Sequence, residues 1–202
     1  MAAEHYFTST PDGDIRPRRI GVRLAGRDLE VTTAGGVFSP GHIDLGTRVL
    51  LDAVPDSPAS GDLLDLGCGW GPIALTLGLE SPDARVWAVD VNQRALELVR
   101  RNCEELGLTN VNAVLPEDVP DEVRFTTIRS NPPIRVGKTE LHALLERWLP
   151  RLETGSDAWL VVQRNLGSDS LQTWLSSTFE GRLDVERVSS AKGFRVLRTT
   201  AL

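Results

Sequence analysis

Cysteine, histidine and long apolar runs are all scarce in this chain: its 202 residues hold two cysteines and three histidines. Cys68 and Cys103 lie in unrelated contexts, so no disulfide framework is expected and a reducing, cytoplasmic setting suits them. His5, His42 and His142 are too scattered to ligate a metal, so no metal site is expected. No run of about eighteen apolar residues occurs, which excludes a membrane-spanning helix. The N-terminus, Met1-Ala2-Ala3-Glu4-His5-Tyr6, has neither the basic segment nor the apolar core of a signal peptide. Positive charge is also short, and a formal net charge of −6 argues against tight non-specific binding to a polyanion.

One stretch runs against that balance. Between Ile15 and Arg27 stand Arg16, Arg18, Arg19, Arg23 and Arg27, with no acid among them. Solvated charges on an exposed hairpin account for this, and so does a surface facing RNA.

The length suits one well-buried domain. Residues 1–14 read as an irregular lead-in. The stretch from Arg19 to Thr33 reads as two strands turning at Ala25-Gly26-Arg27, making residues 1–35 an N-terminal extension with a β-hairpin and 36–202 the main domain. Ala34 to Gly41 is too rich in glycine and proline for regular structure. Helical spacing runs from Ile43 to Val54, with Asp44 as a candidate N-cap. Strands are predicted over 63–66, 85–89, 111–115, 123–129, 158–163, 183–188 and 194–199. Helices are predicted over 72–79, from an Asn92 cap to Leu106, over 139–149 and over 170–179. Strands alternating with helices imply an α/β fold, a mostly parallel sheet covered on both faces, with the last strand antiparallel.

Asp65-Leu66-Gly67-Cys68-Gly69-Trp70-Gly71-Pro72 follows the first of those seven strands and opens a helix. Glycines let the backbone turn sharply and approach a ligand. A dinucleotide fingerprint requires Gly-x-Gly-x-x-Gly, but here Pro72 takes the third glycine's place, and Asp65 would repel a phosphate. An acid at that point suits a cation. The stretch resembles the first motif of class I S-adenosylmethionine-dependent methyltransferases, which implies S-adenosyl-L-methionine as cofactor. By that resemblance Asp65, Gly67, Cys68, Gly69 and Gly71 line the methionine end. Asp90, closing the second strand, accepts the ribose hydroxyls, and Val91 packs on the adenine. Asp118, with Glu117 as competitor, lies where the adenine amino group is bonded.

Asn131-Pro132-Pro133-Ile134 closes the fourth strand. Two successive prolines rule out helix and remove two backbone donors, leaving a rigid bend that presents the Asn131 amide oxygen and the Pro132 carbonyl. A rigid pair of acceptors is well suited to gripping an amino group by its hydrogens. The tetrapeptide resembles the Asn-Pro-Pro-aromatic motif of methyltransferases that modify planar amino groups, with Asn131, Pro132 and Pro133 as the catalytic element. Ile134 stands where an aromatic residue normally stacks on the target, and Phe38 or Trp70 are candidates to compensate.

The continuation Ile134-Arg135-Val136-Gly137-Lys138 narrows the resemblance. From about Gly36 onward, including Gly36-Val37-Phe38-Ser39 and Asp44-Leu45-Gly46-Thr47, the chain is similar to the small-domain methyltransferases related to the bacterial guanine-N2 methyltransferase of small-subunit ribosomal RNA. That resemblance implies a Rossmann-like, seven-stranded fold and a loop around Phe38 covering the cofactor. It implies Ile134, Arg135 and Lys138 on the substrate side, and RNA, either ribosomal RNA or the small ribosomal subunit, as partner. Methylation of a protein glutamine amide uses the same grip, and a non-catalytic module retaining the fold is a third reading.

Overall fold

The computed structural model describes residues 16–202. The irregular lead-in expected over residues 1–14, and His5 with it, lies outside the described residues. In chain order the elements are β1 (Arg18–Leu24), β2 (Arg27–Thr33), α1 (Leu45–Ala53), β3 (Asp62–Leu66), α2 (Pro72–Glu80), β4 (Arg85–Val89), α3 (Gln93–Leu106), β5 (Val111–Val114), β6 (Phe125–Ser130), α4 (Lys138–Trp148), β7 (Leu152–Gln163), α5 (Ser168–Thr178), β8 (Leu183–Ala191) and β9 (Phe194–Ala201). Seven strands form one sheet in the order β5-β4-β3-β6-β7-β9-β8. Its strands are parallel except β9, which runs antiparallel to both of its neighbours. This is the Rossmann-like arrangement expected.

The period-2 alternation of β3 and β4 divides the core. Leu63, Val86 and Ala88 face one side, where they pack with α1, α2, α3 and the hairpin; Leu64, Leu66, Trp87 and Val89 face the other, with α4 and α5. Both faces are covered, so the central strands are buried on both sides, and their polar residues Asp65 and Arg129 are buried with them. Helix α3 shows how local sequence sets an element's limits. Asn92 accepts the backbone N–H groups of Arg94 and Ala95 at 3.0 and 3.4 Å, and Gly107 ends the helix at φ 69°. Between them Ala95, Leu96, Val99 and Cys103 form the buried stripe.

One expectation about local structure changes. Strand β7 begins at Leu152, six residues before the predicted start, and passes through Gly155 at φ 79°; the register against β6 shifts between Phe125 and Thr127. A bulge keeps Glu153 to Ser156 in the strand although they lack its apolar pattern. The hairpin is exposed along most of β1 and the start of β2, as expected, and it docks on the core through Leu24 and the end of β2. Leu24, Val31 and Ala34 belong to the same buried cluster as α2 and α3. Asn102 of α3 accepts the Thr32 N–H at 2.7 Å and donates to the Thr32 carbonyl at 3.0 Å, completing the edge of β2. Three of its exposed arginines make surface contacts: Arg19 with Glu30 and Glu105, Arg23 with Asp28, and Arg18 with the Pro40 carbonyl.

Candidate active site

The strand order reverses at β3, whose neighbours are β4 on one side and β6 on the other. Ligand crevices in open α/β sheets form outside the carboxyl ends of strands at such a point. A cleft of about 290 Å³ lies there, lined from the glycine turn (Gly67, Gly69) across the end of β4 (Asp90, Val91) to Asn131, Pro132, Pro133 and Ile134. A larger hollow, about 590 Å³, lies between the hairpin tip and α1; it includes none of these residues, and a mixture of Arg23, His42, Arg48, Asp52 and Glu80 lines it. Of the two, only the smaller cleft is lined by Gly67, Gly69, Asp90 and Asn131.

The turn is built as a cradle. Gly67 and Cys68 donate their N–H groups to the Val89 carbonyl at 2.8 and 3.0 Å, folding the turn over the end of β4. Gly67 (φ 77°) and Gly69 (φ 54°) both take left-handed conformations, and a Cβ at Gly69 would enter open space. Asp90 accepts the Gly69 N–H at 2.9 Å through one oxygen and the Asn92 N–H at 2.9 Å through the other. Burial raises its pKa above 3.8, while those backbone bonds hold it down. Val91, 45% exposed, presents an apolar surface beside it.

Asp65 is not in the cleft. Leu64 and Leu66 face the α4 side, so Asp65 between them points the other way, under α2, where it is fully buried and accepts the Ala74 N–H at 2.8 Å. Burial pushes its pKa up to about 8. The acids that do line the cleft are Asp44 and Asp90, and no lysine or arginine joins them among the described residues. The charged groups at the cleft, among the described residues, are thus Asp44 and Asp90, and Asp65 is not one of them.

The remaining turn residues divide similarly. Cys68 lies behind the cleft in a small cavity with Trp70 and Thr47, its thiol pKa raised by burial. Gly71 caps α2 at φ 100°, where a Cβ would come within 2.9 Å of Val99, so it packs helix against helix and touches no ligand space. Asp118 is exposed and outside the cleft. The short helical turn Pro116–Asp118 presents Pro116 to the cleft and leaves Glu117 and Asp118 outside it. Trp70 is 1% exposed and donates its indole N–H to the Ser39 carbonyl at 3.2 Å, so it cannot stack on a ligand.

The segment before α1 closes one wall. Asn92 donates to the Gly36 carbonyl at 2.9 Å, Arg94 to Gly35 at 3.1 Å, Trp70 to Ser39 and Arg18 to Pro40. Pinned along its length, it leaves Phe38 half exposed at the cleft.

At the other wall, Ser130 donates its hydroxyl to the Leu66 carbonyl at 2.6 Å, tying β6 to the strand that feeds the glycine turn. The Asn131 amide nitrogen donates to Asp44 Oδ2 at 3.0 Å and Thr47 Oγ1 at 3.1 Å. Both its hydrogens are thereby used, and the amide oxygen is left as an acceptor. The Pro132 carbonyl accepts the Ile134 N–H at 2.8 Å, which leaves it one lone pair for another donor. Ile134 lines the cleft; Lys138 does not, but starts α4 with its ammonium on Ser170 Oγ at 3.4 Å. The Arg135 side chain lies outside the described residues.

Three cleft residues have no sequence signal: Gln163, Leu166 and Phe194. Gln163 ends β7 and Phe194 begins β9, and the two are paired across the antiparallel ladder. Phe194 also packs against α1, since a Cβ on Gly46 would come within 2.9 Å of its ring. An aromatic ring therefore stands on the Asn131 side of the cleft, and it belongs to neither Phe38 nor Trp70.

An open α/β sheet with a glycine cradle, an acid closing the adjacent strand and a proline-locked acceptor beside them defines a Rossmann-like methyltransferase. The chain belongs to the methyltransferase small domain family, whose model matches residues 28–198. It is 34% identical over 199 residues to the uncharacterized protein YbxB of Bacillus subtilis (strain 168), covering 97% of this chain and 98% of that one. It is also 37% identical over 126 residues to ribosomal RNA small subunit methyltransferase C of Aeromonas hydrophila, covering 61% of this chain and 36% of that one. A relative of the same name from Stutzerimonas stutzeri is 32% identical over 175 residues, with 79% of this chain and 52% of that one covered. The chain thus spans about a third to a half of these ribosomal RNA methyltransferases. Among solved structures, the T. thermophilus 16S rRNA N2 guanine methyltransferase (RsmC), in complex with AdoMet and guanosine, superposes with a TM-score of 0.80. That match covers 94% of this chain and 52% of that one at 24% identity, and shows the shared fold.

Proposed function

We propose that the protein transfers a methyl group from S-adenosyl-L-methionine to an exocyclic amino group of RNA, with guanine N2 of small-subunit ribosomal RNA as the substrate. The observation that carries this reading is the Asn131 amide oxygen, held as an acceptor in a cleft that contains two acids and no cation among its described lining residues. The cofactor fits that lining: open space above Gly69, the Asp90 carboxylate beside it for the ribose hydroxyls and an apolar surface at Val91. When bound it supplies an electrophilic methyl group. The chain's residues do the rest. Asn131 and the Pro132 carbonyl hold the amine hydrogens so that the nitrogen lone pair faces the methyl carbon, and the rate comes from orientation and from acceptors placed where positive charge develops. No strong base is required before attack, because the amine proton becomes acidic as the new bond forms. Phe194 and Ile134 form apolar walls for a flipped-out base. The ribosomal RNA relatives support the substrate class.

The test is in two arms. Calorimetry with S-adenosylhomocysteine should show binding to the folded protein; no binding would remove the enzyme reading. Radiolabelled methyl transfer should then favour undermethylated small-subunit ribosomal RNA over protein release factors, and the reverse preference would assign the site to a glutamine amide.

A further inference from the structure

We infer that Asp44 and Thr47 are positioning residues for methyl transfer, acting through Asn131. This rests on the reading of Asn131 as the amine acceptor. A side-chain amide is nearly symmetric in shape, so a lone Asn at the end of a strand could present its NH₂ or its oxygen to a substrate. An NH₂ facing an amine would oppose two donors, and the grip would fail. The start of α1 decides the question. Asp44 Oδ2 accepts one Asn131 hydrogen at 3.0 Å, and Thr47 Oγ1 accepts the other at 3.1 Å. The opposite rotamer would bring the amide oxygen to about the same separation from a carboxylate oxygen, two acceptors with no proton between them.

The carboxylate is itself held in place. The same Asp44 Oδ2 accepts the backbone N–H groups of Gly46 at 2.7 Å and Thr47 at 3.4 Å, as the N-cap of α1. Thr47 is buried, and Gly46 has no room for a side chain: a Cβ there would meet both Asp44 Oδ2 and the Phe194 ring at 2.9 Å. The three residues therefore form a rigid seat on a helix terminus, as accurate positioning of a catalytic group requires.

The chain of hydrogen bonds also has an electrostatic consequence. A carboxylate on the NH₂ end of an amide draws its hydrogens and increases the negative charge on its oxygen, since consecutive hydrogen bonds polarise one another. Asp44 thus adds to the acceptor strength of Asn131 as the substrate nitrogen becomes positive, without touching the substrate.

Two variants separate the roles. Thr47→Val keeps shape and burial, leaves the N-cap intact and removes one acceptor. Asp44→Asn keeps the cap and removes the charge. For both, kcat for transfer to ribosomal RNA is expected to fall about ten-fold, within the range that misplacing a reacting group costs. KM and S-adenosylhomocysteine affinity should stay within about two-fold for Thr47→Val, which removes no charge; Asp44→Asn also removes one of the two acids lining the cleft, so its kcat is read at saturating cofactor. Thr47→Ser, which restores the hydroxyl, should recover most of the rate. In ¹⁵N NMR of the whole protein, the two Asn131 side-chain amide protons should exchange slowly in the wild type and measurably faster in Thr47→Val. Unchanged kcat in both variants would overturn the inference, and so would a loss that Ser does not rescue or that tracks cofactor affinity. If the wild type transfers nothing while its Asn131 amide protons are protected, the functional reading fails and the seat stands. Fast exchange in an active wild type removes the seat alone.

Discussion

The carboxylate of Asp90 accepts the backbone N–H of Gly69 at 2.9 Å, so the acid that closes β4 and the glycine turn that follows β3 are one rigid piece. Asp90 also holds the Asn92 N–H, and Asn92 pins the segment carrying Phe38 through the Gly36 carbonyl. Substitution at Asp90 should therefore loosen the cradle as well as remove a ligand group. Asp90→Ala is expected to weaken S-adenosylhomocysteine binding about 100-fold, the scale of a lost charged hydrogen bond. Calorimetry measures it directly, and Asp90→Asn should show a smaller loss.

Asn131→Ala is predicted to lower methyl transfer by at least about 100-fold, the usual cost of removing one preorganised electrostatic contact. Cofactor affinity should change only a few-fold. Single-turnover transfer and a binding titration on the same preparation distinguish the two; a parallel collapse of affinity would place Asn131 on the cofactor side.

Phe194→Ala should lower kcat/KM for ribosomal RNA by roughly 10- to 100-fold, the worth of one base stacked on an aromatic ring. Phe194→Leu preserves the contact with α1 but not the stack, so it should retain the wild-type melting temperature with most of the kinetic loss. Equal kinetics for Leu and Phe would mean that the ring serves packing alone.

Asp65 carries a pH dependence. Its pKa is raised from 3.8 to about 8, chiefly by burial, with Asp90 adding to the shift and the Ala74 N–H and Arg129 opposing it. A carboxyl with a raised folded pKa contributes fully below its unfolded pKa and loses that contribution as pH rises through the folded value. Wild-type stability should accordingly decline between about pH 4 and pH 8 through this group. Asp65→Asn keeps an acceptor for Ala74 and cannot ionise. Its melting temperature should exceed the wild type's by about 2–4 °C at alkaline pH, equivalent to roughly 1 kcal/mol. Scanning calorimetry across that range checks the sign, and an advantage confined to acid pH would contradict it.

Much of this site is legible in the residues themselves, because it depends on backbone chemistry. The glycine turn, the Asn92 cap, the Asp44 cap and the proline-locked bend each use a local rule, and each falls where that rule puts it. Asp65 leaves its expected place because strand parity outranks proximity to the glycines. Leu64 and Leu66 on one face send Asp65 to the other, so the alternation contains the answer. Phe194 has no local signature. It reaches the cleft only because β9 inserts antiparallel beside β7 and sets it against Gln163. The link from Asp44 to Asn131 spans 87 residues and depends on how α1 is seated, which no local pattern encodes.

The central claim is that Asn131 presents an amine of ribosomal RNA to the cofactor's methyl group. The most direct test is nucleoside mass spectrometry of undermethylated small-subunit ribosomal RNA, incubated with the purified protein and S-adenosylmethionine carrying a deuterated methyl group. Label in N2-methylguanosine with the wild type, and none with Asn131→Ala, is the predicted result. Label on a ring carbon or a ribose hydroxyl, or equal label with Asn131→Ala, would contradict it.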